Sequence, residues 1–368
     1  MVALKLINLF SVLVASLAFA SEDNTGNDII QQGPSRLLFA GNPIIDIYCR
    51  VNQDVIDELG FRKAESNRIS PEVFKMLGER LKVDSKNAGG SSANTARSYA
   101  FVGGDATFFG LVGDDDLADT FEKCMIDYGV KPNIHRKAGE FTSQVYSLVT
   151  PNAERNMYLL FGASRLLNPE CLPGSIMDDF DYYVVNGFIF GSPSIAAFSH
   201  KMIDETLRRG KKLITLLANM VCIRRFSNYL RPIVEKSDII AGNIDEFTGL
   251  YQIKEREELF KHFENLTSGD KPKHTAVIIT MSEEGAYIIA RGKRCFIPPS
   301  GVEAIDTTGA GDFFAGAAIY GLLHGYTVRQ SGELAVAMAG DIIGHMGTLV
   351  TDGLRNKIDA IKAIAKSS

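Results

Sequence analysis

Between Asp181 and Met281 the chain repeats one pattern, a short apolar run followed by a longer segment with helical spacing. The runs are "DYYVVNGF", "KKLITLLA", "SDIIAGN" and "AVIITM", and "SPSIAAFSHKMIDETLRRG" is one of the segments between them. Strands that alternate with helices imply a mainly parallel sheet covered on both faces. Earlier segments continue the alternation. "RLLFAGNPIIDIYC" reads as a short apolar strand broken by Gly-Asn-Pro, and "SPEVFKMLGERLKV" as a helix with a Ser-Pro-Glu start. "SSANTARSYAFVGG" reads as a helix stopped by Gly103-Gly104, "ATFFGLVG" as a strand and "DLADTFEKCMIDYG" as a helix. One region departs. From Phe141 to Phe161, "TSQVYSLVTPNAERNMYLLF" has no helix and reads as a β-hairpin about Pro151-Asn152. The expected fold is a three-layer α/β/α sandwich over residues 36–366, with a small β-sheet lid built from about 47–65 and 141–161.

A chain of 368 residues can bury a large core, and 45% hydrophobic with 23% charged residues is a globular composition. A net charge of -5, a pI near 5.8 and no basic block argue against nucleic acid as the main partner. Five scattered cysteines without a C-x-x-C pair predict buried or partly buried free thiols rather than a disulfide framework or zinc site. Residues 1–20 carry Lys5, the run "LINLFSVLVASLAFA" and an Ala18-Phe19-Ala20 end, the pattern of a secretory signal peptide. The run is short for a membrane span. Residues 21–35 are polar and aperiodic, a linker. The leader points to the secretory pathway or an organelle reached through it; without a working leader the protein is cytoplasmic.

"EAIDTTGAGDFFAGAAIYGLLHG" places two threonines and a Gly-Ala-Gly turn before Asp312 and an almost wholly apolar run. If that run is a helix, the amides of Gly309, Ala310 and Gly311 lie at its positive end, a recipe for an anion hole. A carboxylate beside a bound phosphate can take a proton from an attacking hydroxyl. The same residues also fit a plain glycine-rich turn with Asp312 as a helix cap. They match neither the G-x-x-x-x-G-K-[ST] loop nor the protein-kinase glycine loop.

"IDTTGAGDFFAGAAIYGL" resembles the carboxy-terminal signature of the ribokinase-like (PfkB) family of ATP-dependent sugar and nucleoside kinases. "AGNPIIDI" is similar to that family's first strand, "NAGGSSANTA" to its di-glycine motif and "GNIDEF" to its Asn-x-x-Glu motif, all in family order. Within the family, "GNPIIDI", "NAGGS" and "VTPNAERNMYLLFGAS" most resemble adenosine kinases and their bacterial relatives. The resemblance implies a ribokinase-like fold, with Asp312 as the base and Gly309, Ala310 and Gly311 as the anion hole. It implies Asn42, Asp46, Gly89, Gly90, Ser91 and Asn94 around the acceptor's hydroxyls, and Phe188 stacked on a base or packed in the core. It implies ATP contacts from Asn243, Thr280, Ser282, Gly285, Thr308, Gly311 and Arg155, and Mg²⁺ held through water by Asn243 and Glu246. Helix capping explains Asn243 and Glu246 equally well, and Arg155 also fits a solvated lid position.

One departure stands out. Where the family pattern runs Thr-x-Gly-x-x-Gly, this chain reads Thr280-Met281-Ser282-Glu283-Glu284-Gly285. Ser282 is harmless there if its φ is negative, and the two glutamates suit a polyphosphate only if they face solvent or metal. The expected activity is ATP- and Mg²⁺-dependent phosphorylation of the primary hydroxyl of a ribose-containing small molecule, adenosine first. A ribose or fructose kinase is the alternative, and a non-catalytic nucleoside or sugar binder is another. A monomer or homodimer is expected.

Overall fold

In the computed structural model, which describes residues 28–30, 33–59, 66–150 and 155–367, the Gly41-Asn42-Pro43 break divides two sheets. Before it, β1 (Arg36–Ala40) lies in the middle of a large sheet; after it, β2 (Ile44–Arg50) enters a smaller one. The other strands are β3 (Ser66–Arg68), β4 (Ser85–Gly89), β5 (Asp105–Gly113), β6 (Lys131–Lys137), β7 (Ser143–Val149) and β8 (Arg155–Leu160). They continue with β9 (Tyr182–Asn186), β10 (Lys212–Leu216), β11 (Ile239–Asn243), β12 (Ala276–Thr280), β13 (Ala286–Ala290) and β14 (Lys293–Ile297).

The large sheet runs β14-β13-β12-β11-β10-β9-β1-β5-β6. From β6 to β12 every pairing is parallel, and the β13–β14 hairpin adds an antiparallel edge. Its inner strands are apolar on both faces because helices cover both, while the edge strand β6 is polar and largely exposed. Leu37 and Phe39 of β1 enter one core, with the helices Ser91–Phe101, Ala310–Leu323 and Val328–Ile343. Leu38 and Ala40 enter the other, with the helices Pro193–Arg208, Met220–Val234, Ile244–Tyr251 and Arg256–Leu266. This is the expected three-layer α/β/α sandwich.

The second sheet runs β3-β8-β7-β2-β4. β7 and β8 pair antiparallel from Gln144↔Leu160 to Val149↔Arg155; the turn at Pro151-Asn152 lies outside the described residues. This sheet also takes in β4, part of the "NAGG" segment, and β3, while Gln53–Leu59 is a helix. Asp115 ties its entry down, accepting from the Thr142 backbone N–H and hydroxyl, both at 2.7 Å.

Residues 1–20 lie outside the described residues. Part of the expected linker is docked: Ile29 bridges Thr327, Val328 N–H donates to the Asp28 carbonyl at 3.2 Å, and Lys293 lies 3.8 Å from Asp28. Among the described residues no helix is long and apolar enough to cross a membrane. All five cysteines are free, Cys49, Cys222 and Cys295 buried, Cys124 and Cys171 partly so.

Candidate active site

The carboxyl ends of parallel strands face the crevice where open α/β sheets bind ligands. Here that edge carries a row of polar residues. Asn42 follows β1, while Asn186, Asn243 and Thr280 are the last residues of β9, β11 and β12. Asn243 and Thr280 are register partners.

Asp312 sits in the first turn of the Ala310–Leu323 helix, whose residues from Phe313 onward are buried on every side. That burial fixes the helix, and with it the half-buried carboxylate at its tip. Ser91 donates its hydroxyl to Asp312 Oδ1 at 2.5 Å, and Asn94 Nδ2 donates to Oδ2 at 3.1 Å. Behind them, Asn186 Nδ2 donates to Ser91 Oγ at 2.8 Å, and Arg97 Nη2 donates to Asn94 Oδ1 at 2.5 Å.

The turn before the helix is pinned by Asp306, which is almost fully buried. Its Oδ1 accepts from Thr308 N–H at 2.9 Å and from the Thr308 hydroxyl, and its Oδ2 accepts from Gly347 N–H at 3.0 Å. Gly309 caps the helix with φ 73°, and a Cβ at Gly311 would meet nothing within 4 Å. Space for an anion therefore opens at the helix's positive end. The Ala310 N–H donates weakly to the Thr307 carbonyl, at 3.3 Å.

The di-glycine segment meets the start of β2. A Cβ at Gly89 would fall 2.2 Å from Asp46 Oδ2, so the carboxylate can lie against the β4 backbone only beside glycine. Gly90 has φ 95° and ψ 125°, and its missing Cβ would fall 2.4 Å from the Asn42 carbonyl oxygen. Asn42 Oδ1 is buried without a hydrogen-bond partner. A buried acceptor left unpaired is costly, and a ligand hydroxyl would satisfy it. Phe188 is 37% exposed, so its ring is not a core ring; its N–H donates to Asn186 Oδ1 at 3.0 Å.

Asn243 and Glu246 bond each other as a capping box. Asn243 Oδ1 accepts from Glu246 N–H at 2.9 Å, Glu246 Oε2 accepts from Asn243 N–H at 3.0 Å, and Oε1 accepts from Asn243 Nδ2 at 2.7 Å. Burial pushes Glu246 up to about 7, the Asn243 N–H opposes this, and the charges of Asp312 and Asp245 raise it further. Among the described residues no three His, Cys, Asp or Glu gather to hold a metal directly. With one donor already on each Glu246 oxygen, the pair fits Mg²⁺ through its water shell. Between pH 4.5, the ordinary glutamate value, and pH 7 the folded protein keeps a proton that the unfolded chain has lost. Stability of the ligand-free protein is therefore expected to fall as pH rises through that window and then level off. Thermal melts across pH should show this slope reduced in Glu246→Gln.

Ser282 has φ 52°, so the backbone there still asks for the glycine of the family pattern. Ser282→Gly is expected to raise stability by about 0.5–1 kcal/mol in a urea titration, since the left-handed strain disappears. The neighbouring acids face solvent or a cation: Glu283 is exposed, and Glu284 forms a two-pronged ion pair with Arg256 at 2.7 and 3.0 Å. Gly285 has φ 95°. Arg155 begins β8 opposite Val149, and its side chain lies outside what is described.

The structure thus gathers Ser91, Asn94, Gly309 and Asp312 in one cluster, with Asn42, Asp46, Gly89 and Gly90 at its edge. Arg97, Asn186 and Asp306 are its unanticipated members. Asp306 stood inside the quoted signature, three residues before the glycine turn, the one signal that could have flagged it.

Residues 64–352 match the profile described as pfkB family carbohydrate kinase. The bifunctional protein HldE of Shewanella sp. (strain MR-4) is 26% identical over 309 residues, 82% of this chain and 60% of that protein. The chain thus spans about 60% of the first curated relatives' length. A ribokinase of Staphylococcus aureus (strain COL) is 27% identical, over 68% of this chain and 80% of that one. Among solved structures, a probable sugar kinase from Rhizobium etli CFN 42 aligns with TM-score 0.80 and 27% identity, over 89% of this chain and 98% of that one. The adenosine kinase from Sinorhizobium meliloti aligns with TM-score 0.80 and 25% identity, over 89% and 99%.

Proposed function

The chain belongs to the pfkB family of carbohydrate kinases, ATP-dependent enzymes, and from that premise we propose that it phosphorylates the primary hydroxyl of a ribose-containing acceptor, adenosine first. The observation that carries the reading is the Asp312 carboxylate, each oxygen held by a donor, at the open N-terminus of a buried helix. Asp312 takes the proton of the acceptor's hydroxyl. The amides of Gly309, Ala310 and Gly311 stabilise the charge that develops on the transferred group. Asp46 and Asn94 hold the ring hydroxyls, a carboxylate accepting and an amide donating, and the unpaired Asn42 Oδ1 accepts from another hydroxyl.

The exposed ring of Phe188, next to Asn186, offers a face on which a planar base can stack, whereas a free sugar would meet it only through C–H groups. Likeness to the Sinorhizobium meliloti adenosine kinase supports the same choice. ATP would supply the phosphoryl group, and Mg²⁺, held through water by Asn243 and Glu246, would neutralise its charge. Thr280, Ser282, Gly285, Thr308 and Arg155 would line the nucleotide's path. The test is a panel of adenosine, other nucleosides, ribose and fructose, with ATP consumption as the readout. Turnover of adenosine is expected. Turnover of furanoses alone rejects adenosine, and ligand-dependent thermal shifts without product reject catalysis.

A further inference from the structure

We propose that Arg97 is a positioning residue for Asp312, acting through the side chain of Asn94. The proposal rests on the reading of Asp312 as the base. Arg97 is fully buried on the Ser91–Phe101 helix, one turn after Asn94 and on the same face. Its Nη2 donates to Asn94 Oδ1 at 2.5 Å, to the Ala88 carbonyl at 2.9 Å and to Thr348 Oγ1 at 3.0 Å. Its Nη1 donates to the Thr348 carbonyl at 3.1 Å, and the rings of Tyr128 and Phe313 flank the guanidinium at 4.9 and 5.4 Å.

A buried charge met only by neutral oxygens, the Cys124 sulfur at 3.5 Å and ring faces, with its Nε left without a hydrogen-bond partner, is an expensive choice for filling space. The neighbours Ala93, Ala96 and Ala100 are small and apolar, so packing alone would be served as well by an apolar residue. What an arginine adds is direction. A guanidinium only donates, so the amide oxygen of Asn94 must face it and the amide nitrogen must face Asp312 Oδ2. Without that lock the amide could turn and present an acceptor to the carboxylate.

The other oxygen of Asp312 is served by a lock of the same kind. Asn186 Oδ1 accepts from Phe188 N–H, so its Nδ2 points at Ser91 Oγ, whose proton goes to Asp312 Oδ1. Both oxygens therefore meet donors, the arrangement that favours the ionised carboxylate a base requires.

The test uses Arg97→Met, which keeps the length and removes every donor. Its kcat is expected to fall about 10–100-fold, with the acid limb of the pH–kcat profile moved up by about one pH unit. KM for ATP stays within about twofold, and Arg97→Lys recovers part of the loss. Because Arg97 acts through Asn94, the double variant with Asn94→Ala is expected to be no slower than Asn94→Ala alone. Additive losses, or a lowered melting temperature with the acid limb unmoved, overturn the proposal. Should Arg97→Met fail to fold, Thr348→Val removes one acceptor of the guanidinium, and the acid limb should move the same way by less; no movement overturns it. If the parent phosphorylates nothing, the functional reading falls by itself. A ¹³C titration of the Asp312 carboxyl in the parent and the Arg97 and Thr348 variants then reads the coupling alone, and an unchanged midpoint overturns it.

Discussion

Asp312→Ala is expected to fold as the parent does and to lose phosphoryl transfer by about a thousandfold, the scale of a general base. The two halves of this result have separate causes. The Ala310–Leu323 helix is held by its apolar residues from Phe313 to Leu323, none of which the substitution touches. Ser91 and Asn94 lose an acceptor at a half-buried position that water can reach, so the stability change should stay within about 1 kcal/mol. The chemistry, by contrast, loses the carboxylate proposed to take the proton. Steady-state kinetics and a thermal melt on the same sample check both halves, and near-parental turnover would sink the mechanism.

Gly90→Ala is expected to lower stability by about 2–4 kcal/mol and to raise the acceptor KM about 10–100-fold. The residue's φ of 95° is already unfavourable for any L side chain. The added Cβ would fall 2.4 Å from the Asn42 carbonyl oxygen, and backbone cannot swing aside as a side-chain tip can. Relief has to move the 41–43 segment, which carries the unpaired Asn42 Oδ1, or the N-terminus of the helix that carries Ser91 and Asn94. Urea unfolding and acceptor titration at saturating ATP measure the two effects. An unchanged acceptor KM would mean that this corner takes no part in binding.

The parallel sheet was legible because strands buried on both faces leave apolar runs of uniform texture between helices. The same texture hid the change of sheet at Gly41-Asn42-Pro43. "RLLFA" and "IIDIYC" are equally apolar, and a turn signal says where a strand breaks without saying which sheet receives the next one. β4 was illegible for the opposite reason. "SKNAG" has poor strand propensity, and only its pairing with β2 makes it extended.

At the site, Asp312 and the glycines around it form a local motif, so spacing alone pointed to them. Their supports are not local. Asn186 lies 95 residues from the Ser91 it touches, and Thr348 lies 251 residues from Arg97. No periodicity encodes such pairs. The Asn243–Glu246 spacing fitted two chemistries at once, and the capping box it forms is compatible with both.

The free cysteines have a consequence for the life of the folded chain. Burial raises the Cys49 thiol to about 11 and the Cys222 thiol to about 12, so neither carries appreciable thiolate at neutral pH. Thiolate is the species that oxidants and disulfides capture. These two thiols should therefore stay reduced whether the surroundings are reducing or oxidising. The hazard falls before folding is complete, when the same thiols are exposed and ordinary in acidity, so the compartment in which the chain folds matters more than the one in which it works.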